Sequence, residues 1–163
     1  MKIRKTRMEE LDRAMEIYEH ARNYMRTNGN HKQWIRGYPS RELVEGDIKA
    51  GISYVCEEEE TGALLAVFAY FWGEDATYRK IDGAWIGPGA PYGVVHRIGV
   101  DAPRRGVGAF CLDWALKACG DLRIDTHGDN VPMQNMLRKE GFSRCGIIVI
   151  EDGSERVAFE KLL

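Results

Sequence analysis

The sequence predicts a mixed α/β (α+β) fold whose sheet is flanked by helices, organised as one domain over residues 1–163. Two observations predict it. A chain of 163 residues with 44% hydrophobic residues falls in the size range of one compact domain and can bury one core. The hydrophobic period switches along it, from helical spacing near the start to strand spacing in the middle. It ends in a strand–helix–strand–helix–strand–strand order that requires a parallel crossover.

Taken in order, Ile3 opens a short strand, and Thr6-Arg7-Met8-Glu9 reads as a capping box that starts a helix. Leu11, Ala14, Met15, Tyr18, Ala21 and Met25 recur on one helical face, and Asn28-Gly29-Asn30 ends it. After a loop carrying Trp34 and Tyr38, Ser40 caps a second helix that runs to about Ala50. Residues 52–57 and 64–72 read as an antiparallel hairpin around Glu60-Thr61-Gly62. Six glycines and prolines from Gly83 to Gly93 mark the segment Gly73–Gly93 as a long irregular loop, a kind of segment that is usually functional or mobile. Residues 94–100 form the next strand. Val107, Phe110, Cys111, Trp114 and Ala118 share a helix face that stops at Gly120. A strand at 122–126 precedes a helix opened by Pro132 and stopped by Gly141. A hairpin of residues 143–150 and 156–160 closes the chain around Asp152-Gly153.

Composition removes several classes of function. Lys+Arg total 23 against 25 Asp+Glu, a net charge of -2, which lacks the basic excess of a nucleic-acid binder. The longest apolar run is far short of the roughly 20 residues that span a bilayer, and the basic N-terminus is followed by Met8-Glu9-Glu10 rather than by a signal-like apolar stretch. Cys56, Cys111, Cys119 and Cys145 are scattered without a CxxC pair, which fits free thiols in a reducing cytoplasm. The expectation is a cytoplasmic protein, monomer or homodimer, with no nucleic-acid or membrane partner.

The most informative stretch is Val100-Asp101-Ala102-Pro103-Arg104-Arg105-Gly106-Val107-Gly108-Ala109. A strand ends, and a helix begins at two glycines beside two arginines. Helix N-termini carry unpaired N–H groups and roughly half a positive charge, which suits phosphate. Glycine admits a diphosphate where a Cβ would collide. A solvated strand-to-helix turn is the alternative reading. A Walker loop is excluded because Ala109-Phe110 stands where Lys-Ser/Thr is required. A dinucleotide fingerprint fits poorly, since Cys111 occupies its third glycine position.

These residues resemble the GNAT superfamily of N-acetyltransferases, over nearly the whole chain. The resemblance is carried by His96-Arg97-Ile98-Gly99-Val100, by Pro103 through Ala109, by Asn130 with Met133, and by Gly141-Phe142. The segments Ile124-Asp125-Thr126-His127 and Asp129-Asn130, with Pro132-Met133-Gln134, resemble a bacterial subgroup of uncharacterised acetyltransferases. The resemblance implies a GNAT-like, mostly antiparallel sheet and an acetyl-CoA cosubstrate. Its pyrophosphate would lie on Arg104, Arg105, Gly106, Val107, Gly108 and Ala109, and its pantetheine along Ile98, Gly99 and Val100. Asn130 is expected to bond pantetheine, with capping of the next helix as the other reading. Gly99 in a β-branched strand suggests a bulge that would aim an N–H at the thioester carbonyl, with a packing glycine as the alternative reading. Two positions depart from the family pattern. Pro103 replaces the usual Gln/Arg at the loop's start, and Leu137 stands where a tyrosine acid is common.

Acyl transfer to an amine needs a base. His96 is the expected catalytic group, with a structural histidine as the alternative, and Glu74, Asp75 and Asp82 are its rivals. Asp125, His127 and Asp129 could be drawn as metal ligands, but no fourth ligand is indicated, and no metal is expected. Trp34, Tyr38, Trp85 and Tyr92 are the expected substrate contacts, in an aromatic cluster that also holds Trp72 and Tyr78. The expected function is transfer of an acetyl group from acetyl-CoA to the primary amine of a small molecule or peptide. A non-catalytic acyl-CoA sensor and, more distantly, a dinucleotide-binding protein are the alternatives.

Overall fold

The computed structural model describes residues 1–101 and 106–163. Strand β1 (Lys2–Lys5) leads through a 3-10 turn into α1 (Leu11–Thr27), then α2 (Arg41–Lys49), β2 (Ser53–Glu57) and β3 (Leu64–Gly73). A 3-10 turn at Ala76–Tyr78 and the two-residue β4 (Asp82–Gly83) precede β5 (Tyr92–Val100). The chain ends with α3 (Val107–Cys119), β6 (Asp121–Thr126), α4 (Val131–Lys139), β7 (Ser143–Val149) and β8 (Glu155–Leu162). The strands form one eight-stranded sheet in the order β1-β2-β3-β5-β6-β8-β7-β4. Only β5 and β6 run parallel, joined by α3, which is the crossover expected from the element order.

The two sheet faces are covered differently. On one, α3 and α4 pack Val107, Cys111, Leu112, Ala115 and Leu137 against Phe68, Leu122 and Phe159. On the other, α1 and α2 bury Leu11, Ile17, Tyr18 and Val44 against Val55 and Val67. The rest of that face lies under the segment between β3 and β5, with Tyr78 beside Tyr92, Val94, Ile148 and Ala158. Among the described residues no helix is long and apolar enough to cross a membrane.

Three sequence expectations are corrected. The capping box starts one residue later than expected: the Arg7 N–H donates to Glu10 Oε1 at 2.8 Å. Thr6 is instead held to β2, with its hydroxyl 2.7 Å from that of Ser53 and its N–H donating to the Ser53 carbonyl. The loop before β5 is partly regular, because β4 pairs with β7. Gly83 and Gly146 oppose each other there, and a Cβ on Gly83 would lie 2.1 Å from the Cys145 carbonyl oxygen.

The third correction concerns the bulge in β5. Its register against β3 runs Gly99 to Val67 and then His96 to Ala69, so Arg97 and Ile98 share the space opposite one residue. The bulge therefore sits at Arg97–Ile98, with Arg97 in the left-handed region at φ 52°. Gly99 serves packing: a Cβ there would lie 3.2 Å from the Tyr18 ring and 3.3 Å from Ala21 Cβ, so α1 can approach the sheet only over glycine.

Candidate active site

Strands β5 and β6 pair at only two positions, Gly93 with Leu122 and Val94 with Arg123. Beyond them the strands part and the sheet opens. A cavity of about 640 Å³ fills the opening, walled by Val95 to Ile98 of β5 and Ile124 to Thr126 of β6. Trp34, Ile35, Tyr38 and Leu43 close it from the side of α2 and the loop before it. A second cavity of about 580 Å³ continues between α1, the end of β5 and the N-termini of α3 and α4. Met25, Ile98, Asn130 and Met133 border both.

His96 lies on the wall of the first cavity and is held from several directions. Its Nε2 is 2.5 Å from Asp75 Oδ2. The other Asp75 oxygen accepts from the backbone N–H and hydroxyl of Thr77, at 2.9 and 2.7 Å. Burial acts to raise the Asp75 pKa, but the bonds from His96 and Thr77 outweigh it and bring the carboxyl down to about 2. Asp75 is therefore an anion at any working pH. With the Nε2 proton directed at this anion, a neutral imidazole carries its lone pair on Nδ1. That nitrogen lies 3.9 Å from Asp125 Oδ2. The same Asp125 oxygen accepts from the Tyr78 hydroxyl at 2.6 Å. Burial, together with the adjacent Asp125, pushes the Tyr78 phenol far above its ordinary value, so it remains a donor. The arrangement can accept a proton at Nδ1 and hold the resulting cation between two carboxylates.

Of the three rival bases, only Asp75 reaches the cavity. Glu74 ion-pairs with Arg79, and Asp82 is exposed on β4. Trp34 and Tyr38 line the cavity as expected. Trp85 and Tyr92 do not; the structure places them behind its wall. Tyr92 is 2% exposed, and its hydroxyl both accepts from the Asp75 N–H at 3.0 Å and donates to the Asp75 carbonyl at 3.3 Å. Trp85 Nε1 donates to the Tyr78 carbonyl at 2.8 Å. These two aromatics thus fix the residues that fix His96. Among the described residues no group of three His, Cys, Asp or Glu side chains is placed to hold a metal. His127 accepts instead from the Asp129 N–H at 3.0 Å.

The predicted phosphate loop divides in two. Arg104 and Arg105 lie outside the described residues. Gly106, Gly108 and Ala109 border the second cavity, as do Ile98 and Val100; Val107 is buried against the core, and Gly99 faces α1. The N-terminus of α3 starts at Gly106 in a left-handed conformation, and among the described residues no side chain caps it, which suits its first amides to an anion. Gly108 also lets two helices meet, since a Cβ there would lie 3.0 Å from Met136 Sδ. Asn130 caps α4, accepting from the Met133 N–H at 3.2 Å, while its amide donates to Gln33 at 3.1 Å. Leu137 is fully buried.

Sequence reasoning missed Arg97 as a structural element of the site. Its Nε and Nη2 donate to the two carboxylate oxygens of Asp47 at 3.0 and 2.9 Å, tying the bulge to α2. No sequence signal pairs these residues, 50 positions apart.

No protein-family model and no curated sequence matches the chain. Solved structures do. An acetyltransferase of the GNAT family from Streptococcus agalactiae superimposes with a TM-score of 0.90 at 31% identity, covering 99% of this chain and 95% of that one. The chain belongs to the GNAT family. A GNAT-family acetyltransferase from Listeria monocytogenes shares the fold at a TM-score of 0.71 and 17% identity, over 99% of this chain and 94% of that one. A chain of the NatC complex bound to Gag peptide and CoA does so at 0.62 and 11%, over 100% and 99%. This GNAT chain is accordingly an acyltransferase by family, with the mixed, mostly antiparallel sheet of that fold.

Proposed function

We propose that this protein transfers the acetyl group of acetyl-CoA to a primary amine, with His96 as the general base. The observation that carries the reading is the His96–Asp75 pair in the opening between β5 and β6, beside a cavity that leads to the N-terminus of α3. The NatC structure, bound to CoA, supports a CoA donor for this fold. The residues here suit that ligand. The amides of Gly106, Val107, Gly108 and Ala109 would take the pyrophosphate. Ile98, Val100 and Met133 give pantetheine an apolar channel.

In the proposed reaction the thioester carbonyl lies at the Arg97–Ile98 bulge, where a backbone N–H released from the ladder stabilises the developing oxyanion. The amine nitrogen attacks that carbon and forms the C–N bond. Its proton passes to His96 Nδ1, directly or through one water. The C–S bond then breaks and the electron pair leaves on sulfur. A free thiol has a pKa of roughly 8.5, so its thiolate leaves without an acid near neutral pH. This fits Leu137, which gives α4 no proton donor at the position where the family commonly has tyrosine. The mechanism needs no covalent enzyme intermediate.

The same leucine supports a second reading, an acyl-CoA sensor without turnover. The test is CoA release from acetyl-CoA with a panel of primary amines, against a no-acceptor control. Release that depends on the amine supports the transferase. Tight CoA binding without release supports the sensor. No binding of CoA at all overturns both.

A further inference from the structure

Arg156 stands out in the first cavity. It is 8% exposed on β8 and borders the cavity opposite His96. Its Nη1 donates to the Ser154 hydroxyl at 2.9 Å and to the Glu155 carbonyl at 3.1 Å. Among the described residues no carboxylate lies within ion-pair distance of it. Asp152, the acid of the adjoining turn, accepts from the N–H and hydroxyl of Ser154 and meets the Arg156 charge only from beyond that distance. The other buried arginine, Arg123, has Glu160 at 3.0 Å, and Arg97 has Asp47. Buried cations are normally paired, because an uncompensated charge out of water is costly. A buried guanidinium whose remaining donors face a cavity is a site for an anion, most effectively a carboxylate met by two parallel N–H bonds.

The sheet register sets the spacing between this cation and the proton-accepting end of the cavity. Asp125 pairs with Ala158 across β6 and β8, so Arg156 lies two residues along on the same face. Such diagonal neighbours lie about 7–8 Å apart, their Cβ atoms somewhat closer. A short molecule with an amine at one end and a carboxylate at the other spans this gap. Its nitrogen would rest between Asp125 and His96, and its carboxylate on Arg156. Trp34, Ile35 and Leu43 offer an apolar wall for the substituent between them. Acceptors with several ammonium groups would set one of them against Arg156.

Resting on the N-acetyltransferase reading above, we infer that the acceptor is an amino-carboxylic acid of the α-amino-acid class, with an apolar side chain, whose carboxylate is bound by Arg156. The experiment compares phenylalanine and leucine with phenylalaninamide and with the decarboxylated amines phenethylamine and 3-methylbutylamine. Thiol release is followed for the parent protein, Arg156→Gln and Arg156→Lys, with melting curves to establish folding. The expected result is turnover of the amino acids over the decarboxylated amines. Arg156→Gln should raise KM for the amino acids about 10- to 100-fold while leaving the decarboxylated amines unmoved, and Arg156→Lys should fall between. Equal use of both amine types, or an equal loss for both in Arg156→Gln, overturns the inference. If none of these compounds is turned over while other primary amines are, the inference falls and the transferase reading stands; if the broad amine panel is silent too, the transferase reading fails by itself. Calorimetric titration of the CoA-loaded protein with phenylalanine then decides the anion site: heat lost in Arg156→Gln supports it, and no heat from the parent overturns it.

Discussion

His96 owes its geometry to residues that come from separate elements: Asp75 and Thr77 from the segment before β4, Asp125 from β6, and Tyr78 and Tyr92 behind them. If the ring is the base, His96→Gln lowers turnover roughly 10²- to 10⁴-fold while acetyl-CoA affinity in a direct titration stays near that of the parent. Asp75→Asn should give a smaller loss of kcat with the same affinity, because the ring survives but the anion that fixes its tautomer is gone. The pKa of Asp75, lowered to about 2, sets the sign of its acid dependence. Its contribution to stability is whole above the ordinary carboxylate value and is lost as pH falls through about 2. An ascending limb of a pH–rate profile near neutrality therefore does not belong to Asp75. The sequence made His96 legible as a candidate because it lies on the strand that carries Ile98-Gly99-Val100. Asp75 was legible only as one acid among three. Its bond to His96 joins positions 21 residues apart through a loop that no periodicity describes.

Elements were easier to read than their irregularities. The hairpin, the crossover and the two capped helices follow from period and punctuation, and each appears within a few residues of its expected bounds. The place of the bulge did not follow, because glycine in a strand has two uses, bending the chain and admitting a neighbour. Gly99 has the second use, and the bend falls on Arg97, a residue with no local preference for a left-handed conformation. The bidentate pair with Asp47 offsets that strain, and it is a long-range fact. Gly99→Ala should consequently act on packing: the new methyl meets the Tyr18 ring at 3.2 Å, α1 must shift, and stability should fall by about 1–3 kcal/mol in denaturant titration. An unchanged midpoint would show that α1 does not require glycine at this position. Leu137→Ala should cost about 2–5 kcal/mol, as its full burial requires.

At the scale of the whole molecule, a buried ionic cluster ties the segment before β5 to the sheet. Arg123 lies between the rings of Trp85 and Tyr92, at 4.4 and 4.0 Å, and donates to Glu160. Glu160, with no exposed surface, also accepts from the N–H groups of Ile86 and Gly87. Burial and the neighbouring Glu160 raise the Asp121 pKa to about 7. A raised carboxyl stabilises the fold below its unfolded value and loses that contribution as pH rises through the folded one. Stability should thus decline from about pH 4 to pH 7. Asp121→Asn, which keeps a donor toward Glu160 at every pH, should flatten the decline and melt higher than the parent at pH 8. Two curves that stay parallel from pH 4 to 8 would remove Asp121 from this role. The parting of β5 and β6 has a consequence of another kind. After Val94 no strand among the described residues lies beside the β6-facing edge of β5, so its amides at the cavity should trade hydrogen for deuterium faster than those facing β3. A ligand seated in the gap would slow that trade on one edge alone, and the protected amides would trace its path residue by residue.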